Sequence, residues 1–326
     1  MPCQPIRTAS RVPSTSRFAD GVGDWALIAL RWVLYADLSV LFGLPLLLAL
    51  VFGPTRDSPQ SPSFRRSYGV LAAAGIAASV LGFLWQAAAM AGTTPSNLDT
   101  VTLSVLLTET SLGWALAARI IALASIMLVA ATGRFYCHTS RSLTIAFAAV
   151  ALATMAWSGH GAADEGLQGW GHLGVDIVHL LAAGAWLGAL VAFLCLVVKG
   201  GRSCSQTIHR ALASFAATGT VLVGVLLVTG LLNFYYVVGF GSFASSLTTP
   251  YVQLLLLKLV LFAGMLGLAS LNRFRLTPSL AGAADEAARD LALQKLRRSL
   301  GFELSLGLGV IALVAWLGTL SPNGPI

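Results

Sequence analysis

Apolar runs of about 20 residues recur along the chain, at roughly 25–52, 67–90, 111–132, 142–157, 171–198, 212–239, 252–271 and 298–320. That length spans a hydrocarbon core of about 30 Å as a helix. The runs lack the apolar/polar alternation of a membrane barrel strand, and within lipid a helix satisfies its backbone inside one segment. The pattern predicts an all-α, polytopic membrane protein of about eight transmembrane helices. Turn residues punctuate it at Gly53-Pro54, Thr93-Thr94-Pro95-Ser96-Asn97 and Thr248-Thr249-Pro250. In the longest connection, 272–297, the stretch Asp285 to Gln294 predicts one short surface helix. The chain divides into a tail at 1–23, a membrane domain at 24–322 and a tail at 323–326.

Composition agrees with lipid as the main solvent. Of 326 residues, 56% are hydrophobic and 10% charged, too few charges to cover a water-soluble globule of this size. The net charge of +7 does not point to nucleic acid, because no basic run is interleaved with aromatics. The four cysteines form no CxxC pair, which disfavours a disulfide framework or a zinc ribbon.

The positive charge instead reports topology. Arg56, Arg65 and Arg66 fall in the first loop, Arg134 and Arg141 in the third, Lys199, Arg202 and Arg210 in the fifth, and six more between Arg273 and Arg298 in the seventh. The even loops carry no Lys or Arg. The positive-inside rule then makes the odd loops cytoplasmic and both termini periplasmic. Arg7, Arg11 and Arg17 in the first tail run against this, and four loops outweigh one tail. No A-x-A-like site follows the first span, so an uncleaved first helix is expected.

Ionisable groups inside a bilayer are costly and mark functional positions by default. Here they are Arg31 and Asp37 in the first span, Arg119 in the third, Asp176 and His179 in the fifth, Lys258 in the seventh and Glu303 in the eighth. At about 1.5 Å of rise per residue, all but Asp37 and Glu303 lie roughly 9 to 15 Å from the periplasmic end of their helices. The alternative role for the three basic residues is to neutralise Asp37, Asp176 and Glu109.

The fifth span holds the most specific constellation. Steps of four and three place His172, Asp176 and His179 within about 60° of one another on one helix face. Two imidazoles and a carboxylate suit Cu(II), Zn(II) or Fe(II), with His160 of the preceding loop a further nitrogen and Asp176 alternatively a partner that orients an imidazole. Met90 and Met155 lie near the periplasmic ends of spans two and four, where a thioether either binds Cu(I) or fills a gap between helices. The alternative for His172 and His179 is an interfacial residue and a helix-to-helix hydrogen bond.

The loop Ser158-Gly159-His160-Gly161-Ala162-Ala163, the run from His172 to Gly188, the run Thr229-Gly230-Leu231-Leu232-Asn233, the stretch Leu255 to Pro278, and a last span with Glu303 that closes on Leu317 to Pro322 resemble the copper resistance protein D (CopD, PcoD) family of bacterial inner-membrane proteins. The resembling motifs lie between 140 and 322; before that, hydropathy and span count agree. Val252-Gln253 stands where the family commonly has Gly-Arg, and the first span has no histidine. The resemblance implies copper as the ion, Cu(II) or Cu(I), movement from periplasm to cytoplasm, and a separate CopC-like periplasmic copper-binding protein as partner. Two other functions compete: a non-transporting docking protein for periplasmic copper carriers, and a haem-bearing electron carrier. No motif supports catalysis.

Overall fold

The computed structural model describes residues 17–52, 62–132, 138–159, 166–200, 205–239 and 247–320. Among these, every regular element is helical: α1 (Arg17–Phe52), α2 (Pro62–Met90), α3 (Thr100–Thr108), α4 (Ser111–Ala131), α5 (His138–Ala153), α6 (Gly166–Gly200), α7 (Ser205–Val237), α8 (Pro250–Leu271), α9 (Thr277–Ala281) and α10 (Glu286–Leu317). A 3-10 turn, Thr154–Ser158, prolongs α5, and a π turn, Asn272–Leu276, joins α8 to α9. Eight helical stretches among the described residues, the fourth including the 3-10 turn and the seventh running from α8 through α9, are long and apolar enough to cross a membrane, and they coincide with the eight predicted spans. The protein is a polytopic helical membrane protein. The predicted location of the termini rests on tails largely outside the described residues.

Two elements depart from expectation. Asp285 to Gln294 does not form a separate surface helix. Asp285 caps the helix start by accepting the Ala288 N–H at 2.7 Å, and with no proline before Leu317 the helix runs unbroken into the last span. The connection after α2 contains the short helix α3, begun by Asp99, whose carboxylate accepts the Thr102 N–H and hydroxyl, each at 2.7 Å.

Helix α1 runs through the middle of the bundle, packed against α2, α5, α6 and α10. Leu34, Leu38 and Leu41 bury there against Ala72, Leu123, Ile126, Leu152 and Ile311. A second cluster, toward the end where the basic loops lie, joins Trp186, Leu190 and Phe193 to Met265, Leu296 and Leu300. The closest helix crossing is α1 on α6. A Cβ placed on Gly43 would sit 2.4 Å from the Gly184 carbonyl oxygen, and one on Gly188 would sit 2.4 Å from the Gly43 Cα. Gly184 and Gly188 are spaced as small-xxx-small, which lets two backbones touch in lipid, where burial of apolar surface drives nothing.

Helices α7 and α8 are the least buried spans, and present Val221, Val228 and Leu231, and Leu257, Leu259 and Val260, outward. Lipid covers such faces at no cost. Trp25, Trp114 and Trp170, all well exposed, stand at the starts of α1, α4 and α6, and Trp25 packs on Trp316 near the end of α10. These four share the end of the bundle whose loops lack Lys and Arg, as an interfacial aromatic belt does.

Gly43→Ala forces apart two backbones with no flexible side chain between them. We expect the purified variant to lose on the order of 1–3 kcal/mol, read as a melting point several degrees below wild type in the same detergent. Gly69→Ala, where an added Cβ meets nothing within 4 Å, should leave it unchanged.

Candidate metal site

The fifth-span constellation faces a matching set on the next helix. Helices α6 and α7 run antiparallel, and their polar residues pair across the seam. His172 stacks on Tyr236, with ring centroids 4.8 Å apart and planes 16° from parallel. Asp176 accepts from the Asn233 amide at 3.2 Å. His179 Nδ1 lies 2.8 Å from the Thr229 hydroxyl oxygen. Steps of four and three along α7 put Thr229, Asn233 and Tyr236 on one face, as the steps along α6 do for its three residues. Thr229 and Asn233 open and close the Thr229-Gly230-Leu231-Leu232-Asn233 run; their role as partners of the α6 triad was not visible in the sequence.

The Thr229 hydroxyl also donates to the Val225 carbonyl at 2.6 Å. Its one proton is thereby used, so toward His179 it accepts, and Nδ1 carries the ring proton. The lone pair then sits on Nε2, the nitrogen able to ligate an ion. The ring is oriented as metal-ligating imidazoles are, by a hydrogen bond from the other nitrogen.

All three residues line one cavity of about 180 Å³, closed by Arg31 and Tyr35 of α1, Tyr251 and Lys258 of α8, and Gly318 beyond α10. His172 is 3% exposed. Asn233 Oδ1 is buried with no hydrogen-bond partner, a free acceptor beside Asp176. Among the described residues, no group of three or more His, Cys, Asp or Glu side chains is arranged to hold a metal ion. The triad shares a chamber, but each member is engaged with its own α7 partner.

The remaining predicted positions separate by what they touch. His160 lies outside the described residues. Met155 is buried in the core around α1, while Met90, at 62% exposure, sits at the end of α2; they belong to different surroundings. Arg31 and Arg119 both reach across to backbone oxygens of other elements. Arg31 donates to the carbonyls of Ser158 and of Gly318, the latter at 3.0 Å, both at C-terminal helix ends. Arg119 donates to the Thr154 hydroxyl at 2.8 Å and carbonyl at 3.1 Å. Partial negative charge on carbonyls at helix ends offsets part of the guanidinium charge, while the Arg31 Nε is buried with no hydrogen-bond partner. A Cβ at position 318 would lie 2.6 Å from the Arg31 guanidinium, so a larger residue there would make the end of that side chain shift. Asp37 rests over Gly75 of α2, with both carboxylate oxygens buried and unpartnered. Lys258 lines the triad's cavity. Glu303 is remote from it, buried beside Trp186 and Asn272.

Comparison with known proteins adds the chemistry that geometry leaves open. A copper resistance protein D-like N-terminal domain profile matches residues 22–170, and a copper resistance protein D profile matches residues 209–317. Copper resistance protein D of Pseudomonas syringae pv. tomato is 36% identical over 300 residues, 91% of this chain and 96% of that protein. The chain belongs to the copper resistance protein D family. Two further members of the comparison cover less. Inner membrane protein YebZ of Escherichia coli strain K12 is 34% identical over 52% of this chain and 55% of its own. Copper transport protein CutJ of Bacillus subtilis strain 168 is 31% identical over 46% of this chain and 26% of its own. No solved structure matches significantly. The family likeness reaches to residue 22, well before the motif-bearing stretch from 140 to 322.

For this copper resistance protein D homologue, Thr229→Val keeps side-chain shape and removes the acceptor for His179. We expect copper affinity, titrated on the purified protein, to fall about tenfold or more. Nitrogen NMR of the ring should show loss of the preference for the Nδ1-protonated tautomer.

Proposed function

We propose that the protein carries copper ions across the bacterial inner membrane from periplasm to cytoplasm, collecting them at His172, Asp176 and His179, with His160 of the adjoining loop contributing a further nitrogen. A separate CopC-like periplasmic copper-binding protein delivers the ion. The reading rests on the polar chamber that the triad lines at the charge-poor end of the bundle, the periplasmic end by the positive-inside rule. Imidazole and carboxylate donors with a free Nε2 suit Cu(II), and a Cu(I) ion is accommodated by two imidazoles. Membership in a family with relatives named for copper resistance and copper transport supports the ion, and the inner-membrane relative supports the location.

Cavities beyond the triad favour passage. A second, of about 420 Å³, shares His179 and Lys258 with the first and opens between α7 and α8. A third, of about 780 Å³, shares Trp186 with the second and reaches Glu303. One observation favours docking instead. Between His179 and Trp186 the wall is apolar apart from Lys258, which offers a cation no oxygen on which to rest. The haem reading loses ground, since His172 and His179 share one helix and one of them lies flat against Tyr236.

The doubly substituted His172→Ala, His179→Ala protein should insert normally and lose stoichiometric copper binding; undiminished binding removes the site. Cells expressing the wild-type protein should accumulate more copper than null cells. Equal or lower content selects docking or export, and a Soret band in the purified protein selects the haem carrier.

A further inference from the structure

Three helices place a second polar nest in the half of the bundle toward the basic loops. Glu303 of α10, 2% exposed, accepts from the Trp186 indole N–H of α6 at 3.1 Å and from the Asn272 amide, at the end of α8, at 2.8 Å. Each carboxylate oxygen therefore receives one donor, and both donors are neutral. The nearest basic side chain along α8 on the same span, Arg273, spends its guanidinium on the Ala216 carbonyl at 3.3 Å and on the Thr220 hydroxyl. Lys258 is fourteen residues away on α8, roughly 21 Å along the axis. Ionised, a buried carboxylate with two neutral donors has an unpaired net charge, which is costly in lipid and is removed by a bound cation or a proton.

The acceptors around it are also unfilled. Asn272 is 6% exposed, its amide nitrogen is fixed on Glu303, and its Oδ1 is buried without a hydrogen-bond partner. Ser299, one turn before Glu303 on α10 and 6% exposed, has an Oγ in the same condition. Asn272 begins the π turn Asn272–Leu276, a local widening of the helix of the kind found at functional positions. Glu303, Asn272 and Trp186 line the 780 Å³ cavity, so the nest adjoins open space.

We propose that Glu303, Asn272 and Ser299 form a binding site for a monovalent hard cation of the sodium type, distinct from the imidazole site near the other end. The donor set is carboxylate, amide carbonyl and hydroxyl oxygen, which suits hard ions and not the soft Cu(I). One positive charge neutralises the one carboxylate, whereas a divalent ion would leave a net charge buried. Asn233 beside Asp176 repeats the same arrangement in the first chamber, amide nitrogen on the carboxylate and Oδ1 free, but there the neighbours are imidazoles. The two chambers thus offer different chemistry to different ions. The assignment does not depend on what the imidazole site carries.

The test uses the full-length protein in nanodiscs and radioactive sodium as the probe. Wild type should bind sodium saturably. Glu303→Gln, which keeps the shape, removes the charge and accepts from one of the two donors, should weaken that binding at least tenfold, and Ser299→Ala, which leaves the charge in place, several-fold. Copper titrated on the same samples should be unaffected by either substitution and should not displace sodium from wild type. Absence of saturable sodium binding by wild type overturns the proposal. So does unchanged binding in a Glu303→Gln protein with a wild-type elution profile, and so does stoichiometric displacement by copper. Loss of copper binding in wild type, with sodium binding retained, would sink the copper reading and leave this one standing.

Discussion

The crossing of α1 on α6 is the contact that organises the molecule. Lipid offers no hydrophobic drive for helices to meet, so close packing has to come from surfaces that fit. Gly43, Gly184 and Gly188 remove side chains where the two backbones touch. Because α1 is held there, its other end brings Arg31 to the carbonyls that close the 3-10 turn after α5 and cap α10. Two helix ends are tied to one guanidinium, and the same residue lines the chamber containing the triad. The fold and the site therefore depend on one placement.

Helix periodicity made much of this legible. Eight runs of the right length gave eight spans, and steps of three and four gave the common face of His172, Asp176 and His179. What periodicity leaves out is the partner across the seam. Thr229 and Asn233 stood in a recognisable run, yet nothing in one sequence says that the face they share meets the face of α6. The arginines make contacts of another kind. A list of residues contains full charges only, and the charges that hold Arg31 and Arg119 are partial ones on backbone carbonyls and a hydroxyl. The joined last helix was hidden because a polar stretch followed by an apolar one reads as two elements, although its backbone has no reason to break.

Polar chemistry is distributed in two chambers with an apolar section between them. The chamber with His172 and His179 joins imidazoles to the Asp176 carboxylate, and the nest at Glu303 offers oxygen donors, with His209 also on that cavity's wall. Each uses an asparagine to orient a carboxylate while keeping one acceptor unfilled. Such economy follows from the medium. Inside a bilayer every added polar group needs a partner, so a few side chains serve both as anchors between helices and as the surface an ion meets.

Lys258 stands on the wall between those chambers, where the first cavity joins the second. With its amine protonated, it repels a passing cation in proportion to that cation's charge, so a doubly charged ion faces twice the electrostatic barrier of a singly charged one. On the proposed route, valence would be a sorting variable at the waist of the bundle, and lowering the oxidation state of a metal would ease its crossing without any change in the width of the path.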